Sequence, residues 1–340
     1  METMKRVVIT GLKQTMLLET PIPEPKEDWV LVKVHAVPLC TEYKGWLNGN
    51  EYSGHEAAGE VVKVAQPGKV KVGDRVVVMP GTPCGKCSLC ISGEYIHCEN
   101  NHNHREFSGL THGGDTHVQY LIQQDWLLVP IPDGIAYERA ALACCGLGPT
   151  FGAMENAGVS AMDTVLITGG GPVGLGGVIN AKFRGARTIL IESIPYRKQK
   201  AKELGADLVL DPNDPEIRTR IAQYTNSIGV DTCLETSGTL EAQRLCIDVV
   251  RRKGQVALIG ECGEDLAIKA SPDFIRKGIV LTGQWHYNLK GVFKIMKVIS
   301  ESPVVEKMIT HVLPMSRIQE ALEISASHNC GKIMLRPFED

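Results

Sequence analysis

The sequence is short of aromatic residues, of long apolar runs and of any excess of charge of one sign. Aromatic residues make up 5% of the 340 residues, and 36 Lys and Arg stand against 39 Asp and Glu, for a net charge of −3. Without a basic stripe to follow a phosphate backbone, a nucleic-acid partner is excluded. No apolar run reaches the ~18 residues of a membrane span, and the segment before Gly11 is too poor in apolar residues for a signal peptide. We expect a cytoplasmic protein with no membrane partner, long enough for two domains.

Cysteine, in contrast, is abundant, at 11 residues. In a cytoplasmic chain, cysteines are more often free thiols or metal ligands than disulfides. Four of them crowd one short segment, and four thiolates so close in sequence can surround a zinc ion tetrahedrally, leaving no open position for a substrate. The segment predicts a structural zinc site, with two disulfides or chance as the alternatives. The four residues are Cys84, Cys87, Cys90 and Cys98.

A second set of zinc-ligand residue types is spread along the chain. Residues 30–37 predict a strand that delivers Cys40 into a loop, and His55 lies in the loop before the next predicted strand. Thiolate and imidazole are ligands that zinc prefers, and a catalytic zinc keeps three protein ligands and one open position. Cys145 is the third candidate. Taken singly, Cys40 or His55 would more often be a core or loop residue than a metal ligand. The combination of the three residues favours a metal site.

Residues 164–174 have the pattern of a dinucleotide-binding turn. A short apolar strand, 164–168, is followed by the Gly-x-Gly-x-x-Gly spacing and a helix of small residues, which suits a pyrophosphate at the helix N-terminus. Glu192 ends the next predicted strand about 20 residues on, where a carboxylate can hold the ribose hydroxyls. Segments 230–235 and 255–260 repeat the pattern and predict a doubly wound parallel sheet of the α/β class. The turn residues are Gly169, Gly171, Pro172, Val173 and Gly174.

Together these motifs resemble the zinc-dependent medium-chain dehydrogenase/reductase family, which includes alcohol, polyol and threonine dehydrogenases. The resemblance rests on Gly54-His55-Glu56-x-x-Gly59, the four-cysteine lobe, Gly73-Asp-Arg-Val76, Cys145-Gly146 and Gly169-x-Gly-Pro-Val-Gly174. It implies a GroES-like β-rich catalytic domain from residues 1–147 and 288–340, with the structural zinc lobe at about 81–100. It also implies a Rossmann dinucleotide-binding domain from residues 148–287.

The resemblance implies an active site in the cleft between these domains. Cys40, His55 and Cys145 would hold the catalytic zinc, with Glu56 beside it as a neighbouring or exchangeable ligand. The expected reaction is a hydride transfer between NAD and a secondary alcohol, such as a polyol, sugar or cyclitol, or the corresponding carbonyl compound. We expect two zinc ions per chain and a homodimer or homotetramer. A nicotinamide-binding protein that has lost turnover and a zinc hydrolase are the alternatives.

Cofactor choice is expected to depend on Glu192, which would accept hydrogen bonds from both ribose hydroxyls and repel a 2′-phosphate. NAD is therefore preferred over NADP. Arg197, a few residues further on, could soften that preference because its charge attracts a phosphate.

The chain departs from the family after the first ligand, where the family usually has Cys-x-Ser/Thr-Asp with the hydroxyl relaying the substrate proton. Here Thr41 follows Cys40 directly and Glu42 stands in the position of the hydroxyl. Thr41 and Glu42 are thus both candidate catalytic residues, Glu42 as a general base or as an oxygen ligand. The alternative is that Glu42 pairs with Lys44 or Arg105 at the surface.

Two groups of residues are candidates for the substrate pocket. Trp46 and the run Trp285-His286-Tyr287-Asn288 could line it, or could equally pack an interface. Four histidines crowd a loop-rich region, and we expect most of them to be solvated, with one able to reach the cleft. These are His102, His104, His112 and His117.

Overall fold

The computed structural model describes residues 2–50, 54–104 and 115–339. The chain divides into two units. One, the β-rich unit, comprises Met1–Cys145, Asn288–Glu301 and Ile309–Asp340, and the other, the parallel-sheet unit, comprises Gly146–Tyr287 and Ser302–Met308. Among the described residues, no helix has the length and apolar character needed to cross a bilayer.

The described elements alternate between strands and helices in the middle of the chain. The strands are β1 (Thr3–Gly11), β2 (Gln14–Pro21), β3 (Trp29–Leu39), β4 (Ala57–Val64), β5 (Arg75–Val78), β6 (Tyr120–Gln124), β7 (Leu128–Pro130), β8 (Thr164–Thr168), β9 (Arg187–Ile191), β10 (Leu208–Leu210), β11 (Val230–Glu235), β12 (Val250–Leu258), β13 (Val280–Gly283), β14 (Ile309–Pro314) and β15 (Lys332–Arg336). The α-helices are α1 (Glu42–Asn48), α2 (Ser88–Ile91), α3 (Tyr137–Ala141), α4 (Gly148–Ala157), α5 (Pro172–Phe183), α6 (Pro195–Glu203), α7 (Ile217–Tyr224), α8 (Leu240–Val249), α9 (Val292–Glu301) and α10 (Ile318–Ala326).

The parallel-sheet unit contains a six-stranded sheet in the order β10-β9-β8-β11-β12-β13, with every neighbouring pair parallel. All five residues of β8 are buried, as expected for a strand covered on both faces. The order reverses between β8 and β11, and ligands of open α/β sheets bind at the carboxyl ends of the strands at such a point. The predicted doubly wound sheet is therefore confirmed, and the ends of β8 and β11 match the predicted segments.

The β-rich unit is built around β3, which pairs with β4, β6 and β15. Its core is aliphatic and includes buried Val32, Val34 and Leu335. The backbones of β3 and β4 approach so closely at Gly59 that an added Cβ would lie 2.1 Å from the Lys33 carbonyl oxygen. Gly59 is thus required by strand packing, because any side chain there would force the two strands apart.

Candidate functional site

The first cluster of candidate ligands is assembled by strand pairing. Cys40 directly follows β3, and His55 and Glu56 directly precede β4, which runs antiparallel to β3 with Ala36 opposite Ala58. Cys145 arrives from a distant part of the sequence, after α3. One ligand atom from each of Cys40, His55, Glu56 and Cys145 lies within 4.8 Å of the others, with His55 Nε2 2.9 Å from Cys145 Sγ.

The positions of the two thiols show which of the adjacent residues, Cys144 or Cys145, is the candidate metal ligand. Cys144 is fully buried, and its Sγ is 3.4 Å from the carbonyl oxygen of Val78 in β5. Burial raises the pKa of Cys144 beyond the usual range of a thiol. Cys145, in contrast, belongs to the cluster, and its backbone N–H donates to Glu56 Oε2 at 3.1 Å.

Glu42 is buried beneath this cluster, with 1% of its surface exposed. One carboxylate oxygen lies 3.2 Å from His55 Nδ1, and the other accepts the Cys40 N–H at 2.5 Å. Burial raises the pKa of Glu42, but the His55 imidazole outweighs it and the net pKa falls to about 2. The alternative of a surface pair with Lys44 is wrong, because Glu42 faces inward, and Arg105 lies outside the described residues. Thr41 is exposed beside it.

A buried ion pair lies on the other side of the cluster. Lys332 Nζ is 2.5 Å from Glu56 Oε1, and both side chains are 0% exposed. Pairing of β15 with β3 sets Ile333 opposite Leu39, which brings Lys332 beside Cys40. Burial raises the pKa of Glu56 to about 7 although Lys332 opposes it. Lys332 was not predicted from the sequence, in which its only signal is one charge at the start of an apolar segment, Ile333–Leu335.

The turn that carries His55 is backed by a further histidine. Gly54 has a φ of 87°, and a Cβ there would lie 2.6 Å from Thr116 Oγ1 and 2.7 Å from His117 Cδ2. His117 is 1% exposed, and burial lowers its pKa to about 4. The expectation that most histidines of this region are solvated is wrong for His117, whereas His112 lies outside the described residues.

The four-cysteine lobe forms the second cluster, with its four sulfur atoms within 4.8 Å of one another. The sulfur of Cys87 is 3.5 Å from that of Cys90, and the sulfur of Cys98 is 3.6 Å from that of Cys84. Sulfurs bound at ~2.3 Å to one tetrahedral zinc lie about 3.8 Å apart, so the spacing suits a single ion. None of the four is in a disulfide. Burial raises the pKa of Cys90 to about 12, whereas hydrogen bonds from backbone N–H groups lower the pKa of Cys84 to about 6.

The glycine turn follows β8 and opens α5, the 12-residue helix that begins at Pro172. An added Cβ at Gly174 would lie 1.8 Å from the Gly169 carbonyl oxygen, whereas one at Gly171 would meet only Arg197 Nη1, at 3.9 Å. Gly174 therefore permits close packing, and the space in front of Gly171 is open to a ligand.

Glu192 lies beside this turn, where its carboxylate accepts three backbone N–H groups. Oε2 accepts from Gly170 at 2.6 Å, and Oε1 accepts from Ser193 at 2.6 Å and Ile194 at 2.8 Å. The two N–H groups use both lone pairs of Oε1, and Oε2 keeps one lone pair beyond the bond from Gly170. Glu192 thus braces the turn.

The aromatic residues suggested for a substrate pocket are mostly packed inside their own units. Trp46 is 3% exposed and belongs to the core of the β-rich unit. His286 and Tyr287 are each 2% exposed, and Tyr287 packs edge-to-face on Phe151 of α4 with ring centroids 5.5 Å apart. A pocket role is therefore wrong for these three residues. Trp285, which is 59% exposed, is still a candidate for the substrate pocket.

Comparison with known proteins gives matches along nearly the whole chain. The family model for the alcohol dehydrogenase GroES-like domain matches residues 26–133, and that for zinc-binding dehydrogenase matches residues 172–301. Sorbitol dehydrogenase of Bacillus subtilis (strain 168) is 30% identical over 357 residues, covering 99% of this chain and 98% of that protein. L-threonine 3-dehydrogenase of Symbiobacterium thermophilum is 32% identical over 340 residues, covering 94% of each. The crystal structure of an alcohol dehydrogenase from Thermotoga maritima superposes with a TM-score of 0.88 at 26% identity, covering 99% of this chain and 100% of that one.

Replacing Lys332 by Met should lower the free energy of unfolding by about 3–5 kcal/mol, because Glu56 would be left buried without a counter-charge. Adding Glu56→Gln to this variant should restore part of the loss. Lys63→Met is the matched control, since its partner Glu24 is 71% exposed and such pairs contribute at most about 1 kcal/mol. Urea titration of the four proteins measures the difference, and equal losses for Lys332→Met and Lys63→Met would contradict the role of the buried pair.

Proposed function

Because the chain belongs to the zinc-dependent alcohol dehydrogenase family, we propose that it transfers a hydride between a secondary alcohol and NAD, using one catalytic and one structural zinc ion. The observation that carries this proposal is the convergence of Cys40, His55 and Cys145 at the junction of three distant segments. Two thiolates and an imidazole form a donor set that suits zinc and leaves one position for a substrate. We assign the β-rich unit as the catalytic domain and the parallel-sheet unit as the dinucleotide domain.

The residues around the catalytic ligands have separate tasks in this proposal. Cys40, His55 and Cys145 would hold a zinc ion that supplies Lewis acidity, and the glycine turn would hold the cofactor whose nicotinamide is the hydride acceptor. Glu42 holds Nδ1 of His55, which directs Nε2 toward the other ligands, as carboxylates behind metal-binding histidines do. Lys332 offsets part of the cost of burying Glu56 and so favours its charged form beside Cys40 and Cys145.

Proton transfer needs a group within about one hydrogen bond or one water molecule of the substrate oxygen. Of the two candidates beside Cys40, Thr41 is exposed, whereas Glu42 is buried, contacts the His55 imidazole and accepts the Cys40 N–H. We therefore assign the relay to the Thr41 hydroxyl and treat Glu42 as a positioning residue.

The substrate class is proposed from the relatives together with the site. Those reported above are named for sorbitol and for L-threonine, both of which carry a secondary alcohol next to further polar groups. We propose a polyhydroxylated or similarly substituted secondary alcohol. The homo-oligomeric state and the cytoplasmic location stay predictions.

A substrate panel tests the function. The purified protein is mixed with NAD or NADP and with primary alcohols, secondary alcohols, polyols and cyclitols, and the formation of reduced cofactor is followed by absorbance. Steady turnover on a secondary alcohol or polyol is expected. Binding of NADH without turnover on any substrate would instead indicate the nicotinamide-binding alternative, and failure to bind either cofactor would revive the hydrolase alternative.

Metal analysis should give about two zinc ions per chain. Cys145→Ala should lose one zinc and the activity, because it removes a ligand of the catalytic site. Cys87→Ala should lose the other zinc and lower the thermal stability. Cys144→Ala is the matched control, since its thiol faces Val78 and both ions should remain. A wild-type protein with one zinc, or a Cys144→Ala variant that loses one, would contradict the ligand assignment.

Replacing Glu42 by Gln should weaken zinc binding at the catalytic site, or turnover, by about 10–100-fold, because groups that orient ligands have effects of this size. Zinc content after dialysis against a chelator and the pH profile of turnover are measured together. Exposed Glu24→Gln serves as the control. A variant that keeps its zinc but loses one limb of the pH profile would show that Glu42 is a general base instead.

Replacing Glu192 by Ala should lower kcat/KM for NAD by about tenfold or more, because charge-assisted hydrogen bonds to this carboxylate are lost. The efficiency with NADP should fall less, since the same change removes a charge that repels a 2′-phosphate and leaves Arg197 in place. Asp211→Asn, at the end of the neighbouring strand β10, is the control. If the NAD to NADP ratio stays unchanged in Glu192→Ala, this residue does not set the cofactor choice.

A further inference from the structure

The loop after β11 contacts the glycine turn directly. β8 and β11 are adjacent and parallel, with Thr168 opposite Glu235, so both chains leave the sheet side by side. The Thr236 N–H donates to the Thr168 carbonyl oxygen at 3.1 Å. The Thr236 hydroxyl lies 2.6 Å from the same oxygen and 3.1 Å from the carbonyl oxygen of Gly169. One side chain thus holds the last carbonyl of β8 and the first carbonyl of the turn.

Glu235 fixes the loop that carries this threonine. It is fully buried, and its Oε1 accepts the Ser237 N–H at 2.8 Å, the Ser237 hydroxyl at 2.6 Å and the Gly238 N–H at 2.9 Å. The same oxygen lies 3.2 Å from the Thr168 hydroxyl. A single carboxylate oxygen therefore ties residues 237 and 238 to the end of β8. Thr236, which lies between Glu235 and Ser237, has little freedom to move.

The loop after β11 also packs closely against the glycine turn. Gly169 has a φ of 85°, and an added Cβ would lie 3.0 Å from Ser237 Cβ. An added Cβ at Gly174 would lie 2.8 Å from Thr236 Oγ1. In the trans peptide after Gly169 the N–H of Gly170 points opposite to the Gly169 carbonyl, and this N–H donates to Glu192 Oε2 at 2.6 Å. Thr236 and Glu192 thus fix the two ends of one peptide group in the turn that leads into α5, whose N-terminus is where an anion would bind.

We propose that Thr236 and Glu235 are positioning residues for the dinucleotide, which hold the glycine turn in the conformation that receives the pyrophosphate. Neither residue has to touch the cofactor in this proposal, and Thr236 acts through the carbonyl of Gly169. The inference rests on the proposed function, because it requires a dinucleotide at Gly169–Gly174.

The test compares the binding of NADH and of ADP-ribose, which lacks the nicotinamide, by isothermal titration. Thr236→Val keeps the shape of the side chain and removes its hydroxyl, and it should weaken both ligands by about threefold to tenfold, as expected for one hydrogen bond. Thr236→Ser keeps the hydroxyl and should bind both ligands as the wild type does. The rate at saturating NAD should be unchanged in both variants.

Thr225→Val is the matched control. Thr225 is buried, and its hydroxyl likewise donates to a backbone carbonyl, that of Ile221 at 2.8 Å, but at the end of α7. Its loss should lower the melting temperature and leave both dissociation constants unchanged. If Thr236→Val binds both ligands within twofold of the wild type, or if Thr225→Val weakens them as much, the positioning role is wrong. A wild-type protein that binds neither ligand would overturn the proposed function itself.

Discussion

The buried pair of Glu56 and Lys332 is the constraint on which the β-rich unit depends most. A charge with no exposed surface is tolerated only when an opposite charge and further hydrogen-bond donors surround it. Glu56 receives the Lys332 ammonium on one oxygen and the Cys145 N–H on the other. The pair thereby ties together the turn before β4, Cys145 in the segment after α3, and the first residue of β15. Two of the segments that supply the candidate metal ligands thus meet β15 at one carboxylate.

The parallel-sheet unit depends instead on hydrogen bonds to the backbone of the glycine turn. A turn that binds a pyrophosphate must present backbone N–H groups outward while its carbonyl groups find partners elsewhere. Here Glu192 takes the Gly170 N–H from the side of β9, and Thr236 takes the Gly169 carbonyl from the side of β11. The turn is therefore held from both neighbouring strands.

Local patterns predicted the parts of the fold and site that local chemistry determines. The strand 164–168 and the glycine spacing were recognisable because a turn facing an anion needs particular residues in sequence. The cysteine lobe was recognisable because all four ligands lie within one short segment. Lys332 was missed because its role depends on which strands pair, and no short stretch of sequence contains that information. The contact of Glu42 with His55 was likewise not predicted, since only the register of β3 and β4 brings the two residues together.

The position of Lys332 late in the chain has a consequence for synthesis on the ribosome. Domains fold as units while the chain emerges from its N-terminal end, and the parallel-sheet segment 146–287 is complete before β14 and β15 have been made. Until β15 pairs with β3, Glu56 lacks its ammonium partner and the turn that carries His55 is without its support. Cys40 and His55, near the start of the protein, thus acquire their final surroundings only after β15 has been made.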